Sequence, residues 1–193
     1  MAWNSAVNLY PARLRVTAAA ITALLGMAAT TPAALAASQG AVGATATGTV
    51  EISASVPPRA RLSGLNNVTI ASANPASNGR NAQDVCAWSN TLTRGYRITA
   101  SGSGTGNAFT LSAGMLKVPY TVQWNGTSGK TTGTALNAGT QSGGFVSAAT
   151  HQQCASGPSA SASLIITISA ANLQTMQPAI SYNGALTLLM TPQ

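Results

Sequence analysis

The stretch 118-VPYTVQW-124 has a large apolar residue at every even position, from Val118 through Tyr120 and Val122 to Trp124. Because successive side chains of a β-strand point to opposite faces, a period of two predicts a strand with one face in a core. The aromatic side chains could instead bind a sugar, as could Trp88 and Tyr182 elsewhere. The two valines on the same face favour core packing for Tyr120 and Trp124.

Alternation of the same kind recurs along the chain and indicates further short strands. They are predicted at 83-QDVCAWS-89, 94-RGYRITAS-101, 107-NAFTLSA-113, 162-ASLIITIS-169 and 182-YNGALTLLMT-191, with a weaker one at Leu62, Val68 and Ile70 around a bend at Gly64. Residues 71–81 are predicted as a loop, 101-SGSGTG-106 as a hairpin connection, 125–160 as loops with one or two weak strands, and 170-AANLQTMQP-178 as one helical turn. The sequence therefore predicts an all-β fold, an antiparallel β-sandwich.

The first 36 residues are typical of a secretory signal peptide. Arg13 and Arg15 precede the apolar run 16-VTAAAITALLGMAA-29, and the small-residue sequence Ala34-Leu35-Ala36 follows as a cleavage site. The run is short for a membrane-spanning helix, although an uncleaved anchor is the alternative interpretation. We therefore expect an exported protein, in the periplasm in transit and then at the cell surface.

The charge of the chain does not indicate nucleic-acid binding. Nine basic residues oppose two acidic ones, giving a formal net charge of +7. The basic residues are scattered and form no run, so no nucleic-acid partner is expected.

Cys86 and Cys154 are the two cysteines of the chain. An even number of cysteines in an exported chain predicts one disulfide. Two buried free thiols are the alternative. By chain-entropy reasoning, closing a loop of this length contributes on the order of 4 kcal/mol to stability.

Few residues are available for catalysis. Asp84 and Glu51 are the two carboxylates, and His151 stands near Cys154. Paired acid–base chemistry would require the carboxylates to converge, and a disulfide would remove the cysteine as a nucleophile or a metal ligand. We therefore predict no enzyme, no catalytic residues, no metal site and no small-molecule cofactor.

Residues 42–56, which include 45-TATGTVEISASV-56, also alternate, but over fifteen residues. A strand of that length would reach roughly 50 Å, whereas a compact domain of this size is about 40 Å across. The segment must therefore bend, for instance at Gly48, or project. A projecting apolar strand is an aggregation hazard unless a partner binds it, and adding a strand to another molecule's sheet is an established mode of recognition.

An ordered series of motifs over residues 45–193 resembles the spore coat protein U-like domain of archaic chaperone–usher pilins. The motifs are 85-VCAWSN-90, 95-GYRITASGSGTGNAFTLSAG-114, 118-VPYTVQW-124, Cys154, 163-SLIITISAANLQ-174 and 182-YNGALTLLMTP-192. Many members carry a further cysteine where this chain has 56-VPPRAR-61. The chain departs from the family pattern there, which suggests a subfamily with a different assembly role.

The resemblance implies an immunoglobulin-like sandwich that lacks its last strand and is completed by donor-strand exchange. In this family an N-terminal extension fills the groove of the next pilin subunit, a periplasmic chaperone fills the groove before assembly, and an outer-membrane usher exports the polymer. The expected donor residues are Val42, Ala44, Ala46, Val50 and Ile52, and the expected acceptor-groove residues are Leu186, Leu188 and Met190.

These expectations divide the chain into a signal peptide (1–36), an N-terminal donor extension (37–49) and a single pilin-like domain (50–193), which residues 50–56 would open as its first strand. The leading hypothesis is a pilus or spore-coat-like surface subunit. A self-complete secreted sandwich that binds a surface glycan or a coat partner is the alternative, and a tip adhesin is a weaker third possibility.

Overall fold

The computed structural model describes residues 37–71 and 73–193, so the predicted signal peptide lies outside the described residues. The chain divides into two compact units, Met1–Ala54 and Ser55–Gln193. Within the described residues, no helix is long and apolar enough to cross a membrane.

In the second unit, the residues that the structure describes form ten strands and two short helices. The strands are β1 (Ala60–Ser63), β2 (Gly79–Ser89), β3 (Gly95–Gly102), β4 (Thr110–Ala113), β5 (Leu116–Pro119), β6 (Thr121–Asn125), β7 (Thr134–Ala135), β8 (Phe145–Val146), β9 (Ala162–Ile168) and β10 (Leu186–Pro192). A 3-10 turn covers Thr105–Asn107, and helix α1 covers Ala170–Gln174. Ser169 caps α1 by accepting a hydrogen bond from the amide of Asn172.

The strands form an antiparallel, immunoglobulin-like β-sandwich, as predicted. One sheet has the order β1-β2-β9-β6-β7 and the other the order β10-β3-β8, while β4 and β5 form a separate ribbon. The long registers are β2 on β9, with Gly79 opposite Ile168, and β10 on β3, with Leu186 opposite Gly102. Both pairings join segments far apart in the chain.

The core between the sheets is built from the alternating faces that the sequence indicated. Val118, Tyr120, Val122 and Trp124 are all buried, at 1%, 7%, 1% and 0% exposure. Tyr120 and Trp124 therefore pack in the core, as the two valines on the same face indicated. Strand β5 ends at Pro119 and β6 begins at Thr121, so the segment is divided at Tyr120 into two strands that lie in different sheets.

The disulfide between Cys86 and Cys154 is present, with a Cα–Cα distance of 5.9 Å. It joins β2 to the loop before β9, where Ala149 is also buried and Trp88 packs alongside. The cysteine count alone therefore predicted the pairing correctly.

Three local predictions were wrong. Strand β2 begins at Gly79, inside the predicted loop 71–81. The segment 101-SGSGTG-106 does not join a hairpin, because β3 pairs with β10 and β8 whereas β4 pairs with β5. Residues 50–56 form no strand of the sandwich, whose first strand begins at Ala60.

The described part of the first unit, residues 37–54, contains one isolated bridge. The backbones of Ser38 and Thr49 exchange two hydrogen bonds of 3.0 and 3.1 Å. A Cβ on Gly40 would lie 2.9 Å from the Ala46 side chain, so the turn closed by this bridge depends on a glycine at residue 40. Every residue from 37 to 59 is exposed.

Candidate functional site

A groove of about 980 Å³ opens on one side of the sandwich, next to the last strand. Strand β10 is an edge strand: it pairs with β3 on one side, and no described strand pairs with its other side. Strand β1 is the edge of the opposite sheet and contacts β10 without backbone pairing. The sandwich therefore presents two unpaired sheet edges next to each other.

The first wall of the groove is residues 65–71, which follow β1. Gly64, with a φ of 79°, turns the chain out of β1. The side chain of Gln83 then holds the segment, because its Oε1 accepts from the Asn66 amide at 2.8 Å and its Nε2 donates to the Asn66 carbonyl at 3.1 Å. The segment is thus attached to β2 by a side chain and not by a strand ladder.

Gly79 allows this wall to approach the start of β2. A Cβ at that position would lie 2.9 Å from Cγ2 of Ile70 and 3.4 Å from Cδ1 of Leu173. Any larger residue would displace Ile70, whose side chain lines the groove.

The second wall consists of residues 176–186 and Leu188. Asn183 forms two backbone hydrogen bonds with Ser112 of β4, at 2.8 and 2.9 Å, and the Tyr182 hydroxyl accepts from the Gln177 amide at 3.1 Å. Ile180 is 40% exposed. Hydrogen bonds of its polar groups therefore hold this wall in place, while its apolar side chains line the groove.

The floor of the groove is apolar and belongs to the core. It is formed by Leu111, Tyr120, Leu164, Ile166, Ile168 and Leu173. Burial raises the pKa of the Tyr120 hydroxyl above its ordinary value of 10.0. Among the described residues that line this groove there is no Asp, Glu, Lys, Arg or His, so its chemistry suits apolar side chains and hydrogen bonds from a backbone, not a charged ligand.

Two of the three predicted acceptor residues lie together in the groove. Leu186 and Leu188 line the groove. Met190 packs against the core further along β10 and is not part of the lining. The sequence prediction missed the wall at 65–71, because Leu62, Val68 and Ile70 stand at irregular spacing and indicated only a weak strand around Gly64.

The predicted donor residues all lie in the first unit and are all exposed. Val42 is 107% exposed, Val50 72% and Ile52 92%, and Ala44 and Ala46 are also exposed. Their role as a donor strand stays a prediction.

Asp84 and His151, which the sequence offered as candidates for catalysis, form hydrogen bonds within the domain. Asp84 accepts from the Ser163 hydroxyl and from the Gly129 amide, each at 2.7 Å, and these two hydrogen bonds lower the pKa of its carboxyl. Nδ1 of His151 accepts from the Gln153 amide at 3.2 Å. Within residues 37–71 and 73–193, no group of three His, Cys, Asp or Glu side chains could hold a metal ion.

Comparison with known proteins leaves the family open. No family model and no curated protein matches the chain. One similar solved structure is described as a chaperone–tip adhesin complex that is vital for synergistic activation of CFA/I fimbriae biogenesis. The similarity has a TM-score of 0.46 at 16% identity, over 70% of this chain, and this chain spans 42% of the length of that one.

Proposed function

We propose that this protein is a structural subunit that polymerises by donor-strand exchange, in which the N-terminal extension of one copy fills the groove of the next. The observation that carries the proposal is the combination of an apolar groove beside the unpaired edge of β10 with an alternating extension that is exposed throughout. A strand added to β10 would satisfy its free backbone groups and cover Leu186 and Leu188.

The proposed assembly requires the partners that the sequence resemblance implies. A periplasmic chaperone would occupy the groove before assembly, and an outer-membrane usher would export the growing fibre. The role is structural and not catalytic, and the subunit would pass through the periplasm to the cell surface in a pilus or a spore-coat-like layer. The spore coat protein U-like pilins remain the family that the motifs of this chain resemble.

The alternative, a self-complete sandwich, required residues 42–56 to fold back as the first strand of their own domain. Strand β1 begins instead at Ala60, and residues 50–59 form no strand. This observation favours exchange between copies.

Adjacent leucines on β10 provide the test. Leu188 lines the groove, whereas Leu189 points to the other face of the strand and is 60% exposed. We expect Leu188→Asp to abolish polymerisation, because a carboxylate would then face an apolar strand, and Leu189→Asp to polymerise as the unchanged protein does. Polymer length is measured by electron microscopy and by size-exclusion chromatography.

Deleting residues 37–56 should produce a subunit that binds its chaperone but forms no polymer. A truncated subunit that polymerised as well as the full chain would disprove donor-strand exchange.

A further inference from the structure

The side chain of Asn90 holds the chain where it enters the sandwich. Its Oδ1 accepts from the Arg59 amide at 2.6 Å and its Nδ2 donates to the Pro57 carbonyl at 3.0 Å. The Asn90 amide also donates to the Arg59 carbonyl at 3.1 Å. We call these three hydrogen bonds the Asn90 clamp. Because β1 starts at Ala60, opposite Ser89, the chain is attached to the domain from Pro57 onward.

Two prolines make the clamped segment stiff. Each proline ring fixes φ near −65°, and the residue before a proline is restricted to extended conformations. In the sequence Val56-Pro57-Pro58 this restriction applies to Val56 and to Pro57. Val56 and Pro57 are therefore restricted to extended conformations next to the clamp.

Residues 50–56 lie immediately before the clamp and have the pattern of a donated strand. Val50, Ile52, Ala54 and Val56 occupy one face of an extended chain, and Glu51, Ser53 and Ser55 the other. The three large residues of the apolar face are 72%, 92% and 76% exposed. The segment has seven residues, as does the groove wall formed by residues 65–71.

Residues 42–48 are the weaker candidate. Their apolar face is Val42, Ala44, Ala46 and Gly48, which offers much less apolar area than two valines and an isoleucine. The bridge between Ser38 and Thr49 also closes this segment into a turn, so it is not extended. Donation from these residues would leave residues 49–56 as an exposed apolar linker.

We propose that the strand donated to a second copy of this chain is residues 50–56, and that residues 57–59, held by the Asn90 clamp, form a short stiff joint between neighbouring subunits. This inference rests on the proposed function and specifies which part of the extension enters the groove. The sequence predicted that the resident domain begins at residue 50. With this assignment it begins at the Asn90 clamp.

Three single substitutions in the full-length, exported chain test the assignment. Ile52→Asp places a charge on the apolar face of residues 50–56, Val42→Asp places the same charge on that of residues 42–48, and Ser53→Asp is the matched control on the polar face. We expect Ile52→Asp to reduce polymer yield at least about tenfold, because burying a carboxylate in an apolar groove is costly. Val42→Asp and Ser53→Asp should stay within about twofold of the unchanged chain, since neither residue would enter the groove.

All three positions lie outside the strands, so each variant should fold. Tryptophan fluorescence, to which the buried Trp124 contributes, checks this. If Val42→Asp blocks polymerisation, alone or together with Ile52→Asp, the assignment to residues 50–56 is wrong although donor-strand exchange survives. If Ser53→Asp blocks it, the effect is one of charge and not of burial, and the assignment fails. If none of the three blocks it, both the assignment and donor-strand exchange fail.

Discussion

Trp124 donates a hydrogen bond from Nε1 to the hydroxyl of Tyr96 over 3.1 Å, and both side chains are fully buried. Trp124 lies on β6 and Tyr96 on β3, so the bond crosses between the two sheets. The rings meet edge to face, with centroids 6.3 Å apart and an interplanar angle of 84°, and Phe145 packs on Tyr96 from a centroid distance of 5.7 Å.

Tyr96→Phe should destabilise the fold by about 1–3 kcal/mol, because it leaves the Trp124 N–H buried without an acceptor. Tyr120→Phe is the matched control, since its hydroxyl lies 3.5 Å from the Ala185 carbonyl, at the limit of a hydrogen bond. We expect the control to lose less than about 1 kcal/mol. Urea unfolding followed by tryptophan fluorescence measures both, and equal losses would contradict the role assigned to the Trp124 bond.

Alkaline pH should destabilise the protein. Burial raises the pKa of Tyr96 above 10.0, although its bond from Trp124 acts in the opposite direction, and burial also raises that of Tyr120. A raised folded-state pKa means that the unfolded chain loses its proton first, so stability is complete below 10.0 and falls as the pH rises towards the folded values. The free energy of unfolding should therefore begin to decline as the pH rises above about 10. In Tyr96→Phe the decline should be shallower.

Asp84 should titrate below its ordinary pKa of 3.8. The bond from Ser163 is the larger cause and the bond from the Gly129 amide the smaller. Because the folded pKa is depressed, the carboxylate contributes stability above the unfolded pKa and loses it as the pH falls through the folded value. Ser163→Ala should raise the Asp84 pKa, which NMR titration of the carboxyl carbon measures. An unchanged pKa would show that the Ser163 bond has no effect on the carboxyl.

The disulfide should contribute on the order of 4 kcal/mol, because Cys86 and Cys154 are 68 residues apart and the link restricts the unfolded chain. The double variant Cys86→Ser and Cys154→Ser should unfold at a correspondingly lower denaturant concentration. Reductant should shift the unfolding of the unchanged protein to the same midpoint and leave the double variant unaffected. A difference between the two midpoints would mean that the serines themselves alter the site.

The Asn90 clamp should be visible in amide hydrogen exchange. Asn90→Ala removes the acceptor of the Arg59 amide and the donor to the Pro57 carbonyl. We expect exchange at Arg59 to accelerate at least about tenfold, while the amide of Ile98, bonded to the Ser142 hydroxyl, keeps its rate. Asn90→Asp is the intermediate variant, because it keeps the Oδ1 acceptor and loses the Nδ2 donor. If Arg59 exchanged at its original rate in Asn90→Ala, backbone pairing alone would hold this segment.

The sequence predicted the parts of the fold that depend on local alternation. The buried face from Val118 to Trp124 and the β-branched strand β9 follow directly from side-chain direction and apolar area. The cysteine pair followed from the count alone. Likewise, the turn before Pro178 is present as α1.

Non-local pairing was the part that the sequence did not determine. The glycine-rich segment after β3 indicated a hairpin, but β3 pairs with β10, about 90 residues later, and no local pattern specifies such a partner. The groove wall at 65–71 was missed for a similar reason. It is held by the side chain of Gln83 and by the room that Gly79 leaves for Ile70, and neither contact produces a periodic pattern.

Residues 50–56 show how alternation can mislead. Their alternating pattern predicted a resident strand of the sandwich. Alternation, however, indicates only that one face of a segment is suited to burial. It does not specify whether that face is buried in the same molecule or in another. We infer that the boundary is set instead by Pro57 and Pro58, which follow the segment directly, and by the side chain of Asn90, which reaches Pro57 and Arg59 only in the folded chain.

The open edge of β10 has a thermodynamic consequence for any measurement on this protein. A segment that binds only the folded state raises the apparent stability in proportion to the logarithm of its concentration. Since each copy carries both a groove and an exposed alternating segment, we expect the melting temperature to rise with protein concentration. The apparent stability then depends on the concentration of the protein as well as on the contacts within one molecule.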